Sequence, residues 1–147
     1  MKISTRGRYA LRLMIDLARQ TEKGYITLHD ISLRLHISKK YLEQIIPQLT
    51  RNGLLLANRG AQGGYRLSRM PEQITVEEIL TSAEGDLFPV NCMKNDPNLC
   101  ELQSECTTLP IWEGLHEVIT NYLKEITLQD ILNQSASLDE RDSINNL

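Results

Sequence analysis

At 147 residues the chain has room for one domain, or a small domain with an extension, and its 41% hydrophobic and 5% aromatic content allows a modest, mainly aliphatic core. No apolar run is long enough to span a bilayer, and the basic start is broken by Arg12 and Asp16, so it reads as a helix and not as an export signal. The formal charge of −3 hides two opposed halves: residues 1–70 carry 13 Lys/Arg against 4 Asp/Glu, and residues 71–147 carry 3 against 15.

A polarised chain of this kind suits a nucleic-acid-facing first half and a second half with another task. Two solvated surfaces of opposite sign are the plainer reading of charge alone. Ser4 or Thr5 can cap a first helix whose apolar stripe is Ala10, Leu13, Met14 and Leu17. Arg8, Arg12, Asp16 and Arg19 form its wet side, with Arg12 and Asp16 spaced to pair weakly. Lys23-Gly24 stops that helix, and Tyr25-Ile26 reads as a short strand able to pair with a later hairpin. Thr27 caps a second helix, with Asp30 at the reciprocal position of a capping box and Leu28, Ile31 and Leu35 on its buried side.

His36-Ile37 is then a tight turn into Ser38, which caps a third helix. Leu42, Ile45, Ile46 and Leu49 lie on one face of it, and Lys39, Lys40, Glu43, Gln44 and Gln48 fall largely on the other. Pro47 removes one hydrogen bond inside this helix and predicts a kink near residues 43–46. Arg51-Asn52-Gly53 ends it. Leu54 to Ala57 then forms a buried strand, and residues 58–64 form a glycine-rich tip that Tyr65-Arg66-Leu67 leaves as the return strand. Two short helices with a tight turn, followed by a basic hairpin, make a winged helix-turn-helix: the helix enters the major groove and the hairpin meets backbone or minor groove.

Beyond Met70-Pro71, Thr75 to Glu78 is a full capping box, stapled by Ile74 and Ile79, opening a helix that ends near Gly85. Residues 86–105 have weak periodicity. Thr107 or Thr108 caps the last long helix, with Pro110 in its first turn. Trp112, Leu115, Ile119, Tyr122 and Ile126 form a heptad seam along it. The seam can bury against its own domain or a second copy; a palindromic site favours the second copy. Thr127 starts a short terminal helix, and the polar tail from Gln134 reads as frayed. No internal repeat stands out.

Cys92, Cys100 and Cys106, with seven and five residues between them, sit in the one long loop. Zinc sites usually include a C-x-x-C pair, which is missing here. Disulfides would leave an odd thiol and would not persist in the cytoplasm, where the chain is expected. Soft thiolates on a loop suit an iron–sulfur cluster, but three cysteines leave its fourth ligand open. Zinc, a redox thiol switch and inert cysteines stay as alternatives. No catalytic triad, Walker loop or paired general acid and base appears.

MKISTRGRYALRLMIDLA, ISKKYLEQI, NGLLLANRGAQGGYRLS and ITVEEIL occur in that order, and over roughly residues 1–132 the chain resembles the Rrf2 family of bacterial transcription regulators. The cysteine loop is similar to its iron–sulfur members (IscR-, NsrR- and RirA-like) and not to CymR-like ones. The resemblance implies a mainly α fold with a small β-hairpin: a winged helix-turn-helix plus a long C-terminal dimerisation helix. It implies the divisions 1–70 for DNA binding, 71–91 for a short helix and connector, 92–106 for a cluster-binding loop, 107–133 for dimerisation and 134–147 for a disordered tail.

By position, the resemblance also implies that Ser38, Lys39, Lys40, Tyr41, Glu43, Gln44, Arg59 and Gly60 face DNA. Cys92, Cys100 and Cys106 would hold a [4Fe–4S] or [2Fe–2S] cluster. Gly63 and Gly64 would permit a tight wing. Leu109 and Arg8 stand where the IscR- and NsrR-like proteins have their fourth ligand, so neither solution carries over. Asp96, Glu101, Glu105, His116, a small thiol or solvent are the candidates. The implied protein is a cytoplasmic homodimeric repressor on palindromic double-stranded DNA, with no membrane association. A CymR-like regulator under partner or thiol control is the alternative, and a small electron carrier is disfavoured by the missing fourth cysteine.

Overall fold

The structure is a computed structural model that describes residues 1–94 and 100–145. Helix α1 (Thr5–Arg19) is capped by Ser4, whose hydroxyl accepts from the Gly7 amide at 3.2 Å. A 3₁₀ turn and Gly24, in the left-handed region at φ +73°, lead to α2 (Leu28–Leu35). Helix α3 (Lys39–Arg51) runs continuously through Pro47, and the Thr50 hydroxyl donates to the Ile46 carbonyl in the turn where Pro47 supplies no N–H. Strands β1 (Leu55–Asn58) and β2 (Gly64–Leu67) pair antiparallel with Leu55 opposite Leu67 and Asn58 opposite Gly64. Helices α4 (Val76–Glu84), α5 (Leu109–Lys124) and α6 (Leu128–Asn145) follow. The expected mainly α fold with one hairpin is thus the observed one.

The core lies where α1, α2, α3 and α4 meet above the base of the hairpin. Leu13, Met14, Ile31, Leu42, Ile45, Leu49, Leu54, Leu55, Ile74, Ile79 and Leu128 are essentially sealed from water. Each such side chain contributes about 1.5–3 kcal/mol by burial. A smaller cluster of Val76, Leu80 and Leu87 receives Leu123, Ile126 and Ile131. Helix α4 therefore sits between α3 and α5, while α6 reaches the main core directly through Leu128.

One local pattern is used three times. Ile26-Thr27, Ile74-Thr75 and Ile126-Thr127 each end an extended segment, and an acidic residue stands three places after each threonine. The threonine hydroxyls accept from the amides of Asp30, Glu78 and Asp130 at 3.1–3.2 Å. At Thr75 and Thr127 the acid returns the bond to the threonine amide, at 3.0 and 2.8 Å. These last two starts pair with each other: Val76 N–H donates to Ile126 O at 2.9 Å, and Leu128 N–H donates to Ile74 O at 3.0 Å. The repeat escapes a sequence search because it spans five residues and recurs at wide, unequal spacing.

Several expectations change. Asp16 is not on the wet side of α1 and does not pair with Arg12. It is 6% exposed and takes two hydrogen bonds from Arg34 on α2, at 2.9 and 2.8 Å, because α2 packs across that face. Arg12 instead donates to the Leu35 carbonyl at the end of α2 and lies over the Tyr9 ring. Strand β1 is shifted by one residue from the expected 54–57 and buries only Leu55, because the hairpin stands out from the core, while β2 starts one residue early and ends at Leu67 as expected. Helix α6 continues through residues 134–145 in place of the expected frayed tail; no glycine or proline interrupts it, and the Ser135 and Ser143 hydroxyls bond back to carbonyls four residues earlier. Residues 146–147 lie outside the described residues.

Candidate DNA interface and cysteine loop

The helix-turn-helix is fixed by its caps. Ser38 Oγ accepts from the Tyr41 amide at 3.2 Å, which aligns the first turn of α3. His36 makes the turn at φ +54°, and Ser32 Oγ donates to Ile37 O at 2.6 Å across it. With Leu42, Ile45, Ile46 and Leu49 buried, Lys39, Lys40, Glu43 and Gln44 project into solvent on the opposite face. Tyr41 is half-buried, edge-on to Tyr9 at 5.4 Å between ring centroids. It thus bridges α1 and the start of α3.

The hairpin is anchored to the same unit. Ile26 and Tyr65 exchange backbone hydrogen bonds at 2.9 and 2.8 Å, the strand pairing expected from Tyr25-Ile26. Gly64 is needed for this pairing: a Cβ there would collide with the Ile26 carbonyl, and its φ is +154°. At the tip, Gly63 N–H donates to Gly60 O at 3.0 Å, and Arg59 and Gly60 are exposed. Lys39, Lys40 and Arg59 take part in none of the ion pairs among the described residues, which leaves their charge available for phosphate. Arg66 lies over the Tyr25 ring at 4.9 Å, a wing contact that sequence reading missed because the two residues are far apart in the chain.

A polar link joins α3 to α4. Asn52 Nδ2 donates to Ser82 Oγ at 2.8 Å and to Gln48 O at 2.9 Å, and Ser82 is buried. At its far end α4 reaches α1: Glu84 accepts from the Ser4 amide and hydroxyl at 2.9 and 2.7 Å, packed against Gly7. The carboxylate thereby stands at the positive end of α1. The cysteine connection begins two residues later.

None of the three cysteines forms a disulfide among the described residues. Cys92 lies in a 3₁₀ turn (Asn91–Lys94), Cys100 is exposed, and Cys106 follows a second turn (Gln103–Glu105) just ahead of α5. Thr108 holds the cap position of α5, but its hydroxyl does not cap the helix. It lies 3.5 Å from Cys106 Sγ. That hydroxyl, with the Thr108 and Leu109 amides, pulls the Cys106 thiol below its ordinary range.

Among the described residues, no three His, Cys, Asp or Glu side chains come together as a metal-holding group. The structure therefore does not gather the three cysteines. Glu101 and Glu105 are exposed. His116 turns inward: its Nδ1 lies 3.2 Å from Leu87 O, and its ring sits 4.5 Å from that of Phe88. Asp96 lies outside the described residues.

Along α5, Ile111, Leu115, Val118 and Tyr122 are exposed at spacings of four, three and four. This stripe is the heptad seam, shifted from the one read in the sequence. Trp112, Ile119 and Ile126 are half-buried instead, because α5 turns that side toward its own chain.

The Rrf2 profile, described as an iron-dependent transcriptional regulator, matches residues 3–134. The chain belongs to the Rrf2 family. It is 35% identical over 146 residues to the transcriptional regulator IscR of Cronobacter sakazakii, covering 99% of this chain and 89% of that one. Among solved structures it is similar to IscR of T. potens (TM-score 0.71, 33% identity, 92% of this chain and 88% of that one). It is equally similar to CymR, the global cysteine regulator of B. subtilis (TM-score 0.72, 33% identity, 91% and 98%). As an Rrf2 protein it is a DNA-binding transcription regulator and not an enzyme. Among the described residues no helix is long and apolar enough to cross a membrane.

Proposed function

We propose that this Rrf2 regulator is a cytoplasmic homodimeric repressor whose affinity for a palindromic operator is set by an iron–sulfur cluster. The observation that carries the reading is the placement of all three cysteines, none in a disulfide, in the connection between α4 and α5, with Cys106 biased toward thiolate by Thr108. The iron-dependent description of the matching family supports it. The donor set suits iron: three soft thiols, with a fourth ligand unassigned. A [4Fe–4S] or [2Fe–2S] cluster on Cys92, Cys100 and Cys106 would supply a group sensitive to iron supply, oxidants or nitric oxide.

The chain's own parts do the rest. Ser38 fixes the start of α3; Lys39 and Lys40 meet phosphates; Glu43 accepts from cytosine N4 and Gln44 pairs with adenine in the major groove. Tyr41 holds α3 against α1, and Arg59 with Gly60 brings the wing to the minor groove. The apolar stripe of α5 takes the second copy. Closing the 92–106 connection pulls on α4, which is bonded to α3 through Ser82 and to α1 through Glu84. Two recognition helices are thereby re-spaced relative to half-sites about one helical turn apart.

Native mass spectrometry of protein purified without oxygen, followed by operator titration, tests this. The expected species is a dimer carrying iron and sulfide whose operator affinity changes when the cluster is removed. Equal affinity of the two forms would end the switch reading. The similarity to CymR, together with thiols that the structure leaves apart, favours one second reading: control by a partner protein or thiol oxidation. A bare dimer from iron-replete cells would select it.

A further inference from the structure

A pocket of about 280 Å³ opens between one side of α4, the segment after it and α5. It faces away from the exposed stripe of α5, because His116 and Thr120 on its wall are more than a quarter-turn of helix away from Leu115 and Val118. A second copy seated on that stripe therefore leaves the pocket open. The DNA reading above makes no use of it.

Six side chains define its chemistry: Glu77, Thr81, Asp86, Phe88, His116 and Thr120. Thr81 donates its hydroxyl proton to Glu77 Oε1 at 3.1 Å, which leaves Glu77 Oε2 as an acceptor. Asp86 accepts from the Phe88 amide at 3.2 Å and from Lys94 at 3.5 Å and has further lone pairs. If His116 Nδ1 carries the proton that meets Leu87 O, its Nε2 is an acceptor as well. Thr120 Oγ1 is buried and has no hydrogen-bond partner among the described residues. The tilted Phe88–His116 pair supplies a flat apolar wall.

Nearly every free valence is thus an acceptor, and the surrounding half of the chain is strongly acidic. We propose that this pocket binds a small organic cation, an amidinium or ammonium with a flat apolar part. Donors on the ligand meet Glu77, and its flat part lies against Phe88 and His116. A bare metal ion does not suit the site, because its carboxylates and imidazole do not converge as a ligand group. The volume is at the lower end for organic-ligand sites, which sets the size class. The pocket shares α4 with the Ser82–Asn52 link, so its occupant sits one helix away from α3. The proposal does not depend on the cluster.

Benzamidine is the probe, and benzoate is the control of equal shape and opposite charge. Titration calorimetry on the full chain should show saturable benzamidine binding, one site per chain, and none for benzoate. Glu77→Gln should weaken benzamidine about tenfold or more, the size of a lost hydrogen bond to a charged group. Phe88→Leu should also weaken the probe, by removing the flat wall that it forms with His116. Because this variant leaves Glu77 and Thr81 in place, the test stands even if Glu77→Gln fails to fold. Benzoate binding as well as benzamidine, no saturable benzamidine binding, or variants that match the wild type in affinity would each overturn the proposal.

Discussion

Asp16 and Arg34 show how one buried pair ties the first two helices. The carboxylate is nearly sealed, whereas the guanidinium keeps a third of its surface in water. The Asp16 hydrogen bonds raise the Arg34 pKa against the opposing effect of burial, so the guanidinium keeps its charge. Removing only the cation strands the carboxylate. Arg34→Met should therefore cost about 2–3 kcal/mol in denaturant unfolding, and Asp16→Leu with Arg34→Met should recover most of it. If the double variant is as unstable as the single one, the stranded charge is not the cause. Glu78 behaves differently. Burial pushes its carboxyl up, but the Thr75 amide, Arg69 and the Thr75 hydroxyl outweigh this and hold it below the usual value of 4.5. A depressed folded pKa contributes stability above the unfolded value and loses it as pH falls through the folded one. The stability gap between wild type and Glu78→Gln should be widest above pH 4.5 and close in more acid solution; a gap that stays constant down to pH 3 would rule out the linkage.

At the scale of elements, the segments that explain themselves are those whose physics is local. Ser4, Thr27, Ser38 and Thr75 cap the helices that the sequence assigns to them, because a hydroxyl three residues ahead of an amide needs no tertiary partner. Thr108 fails the same rule. A competing group, the Cys106 thiol, takes its hydroxyl, and nothing in the local sequence ranks the two. Asp16 fails because helix packing chose its face, and α6 outran its expected end because periodicity weakens before helical hydrogen bonding does. In the site, the exposed face of α3 was legible from four apolar positions. The separation of the three thiols was not, since spacing along a loop does not set distance. The wing lies between these cases. Its glycines were legible, but the reason for Gly64 is the Ile26 carbonyl beside it. Gly64→Ala should break the Ile26–Tyr65 bonds and cost about 2 kcal/mol or more. It should also lower DNA affinity evenly across operator variants, whereas Gly60→Ala, with nothing within 4 Å of its added Cβ, should act only through its φ of +104°. Affinity series on several operators would separate the two; a Gly64→Ala protein as stable as wild type would refute the close-approach argument.

For the whole molecule, the exposed apolar stripe of α5 and the basic surface of residues 1–70 carry one joint expectation. A single winged unit has few phosphates within reach, so its binding is weak and modestly salt-dependent. Two units on one palindrome roughly double the phosphate count, and the slope of log affinity against log salt doubles with it. In the proposed dimer, this doubling is decided at the stripe. Val118 is 66% exposed and flanked by Leu115 and Tyr122, so in a lone chain Val118→Glu removes no buried contact. Across a twofold interface the same change buries two carboxylates among apolar side chains, which is costly without partners. Val118→Glu should therefore keep the helical content and thermal unfolding of the isolated chain. It should also shift sedimentation to the monomer and roughly halve the salt slope on a palindromic operator, with little change on a single half-site. A Val118→Glu protein that still sediments as a dimer would move the interface off this face of α5. A monomer with an unchanged salt slope would instead mean that one winged unit makes all the phosphate contacts.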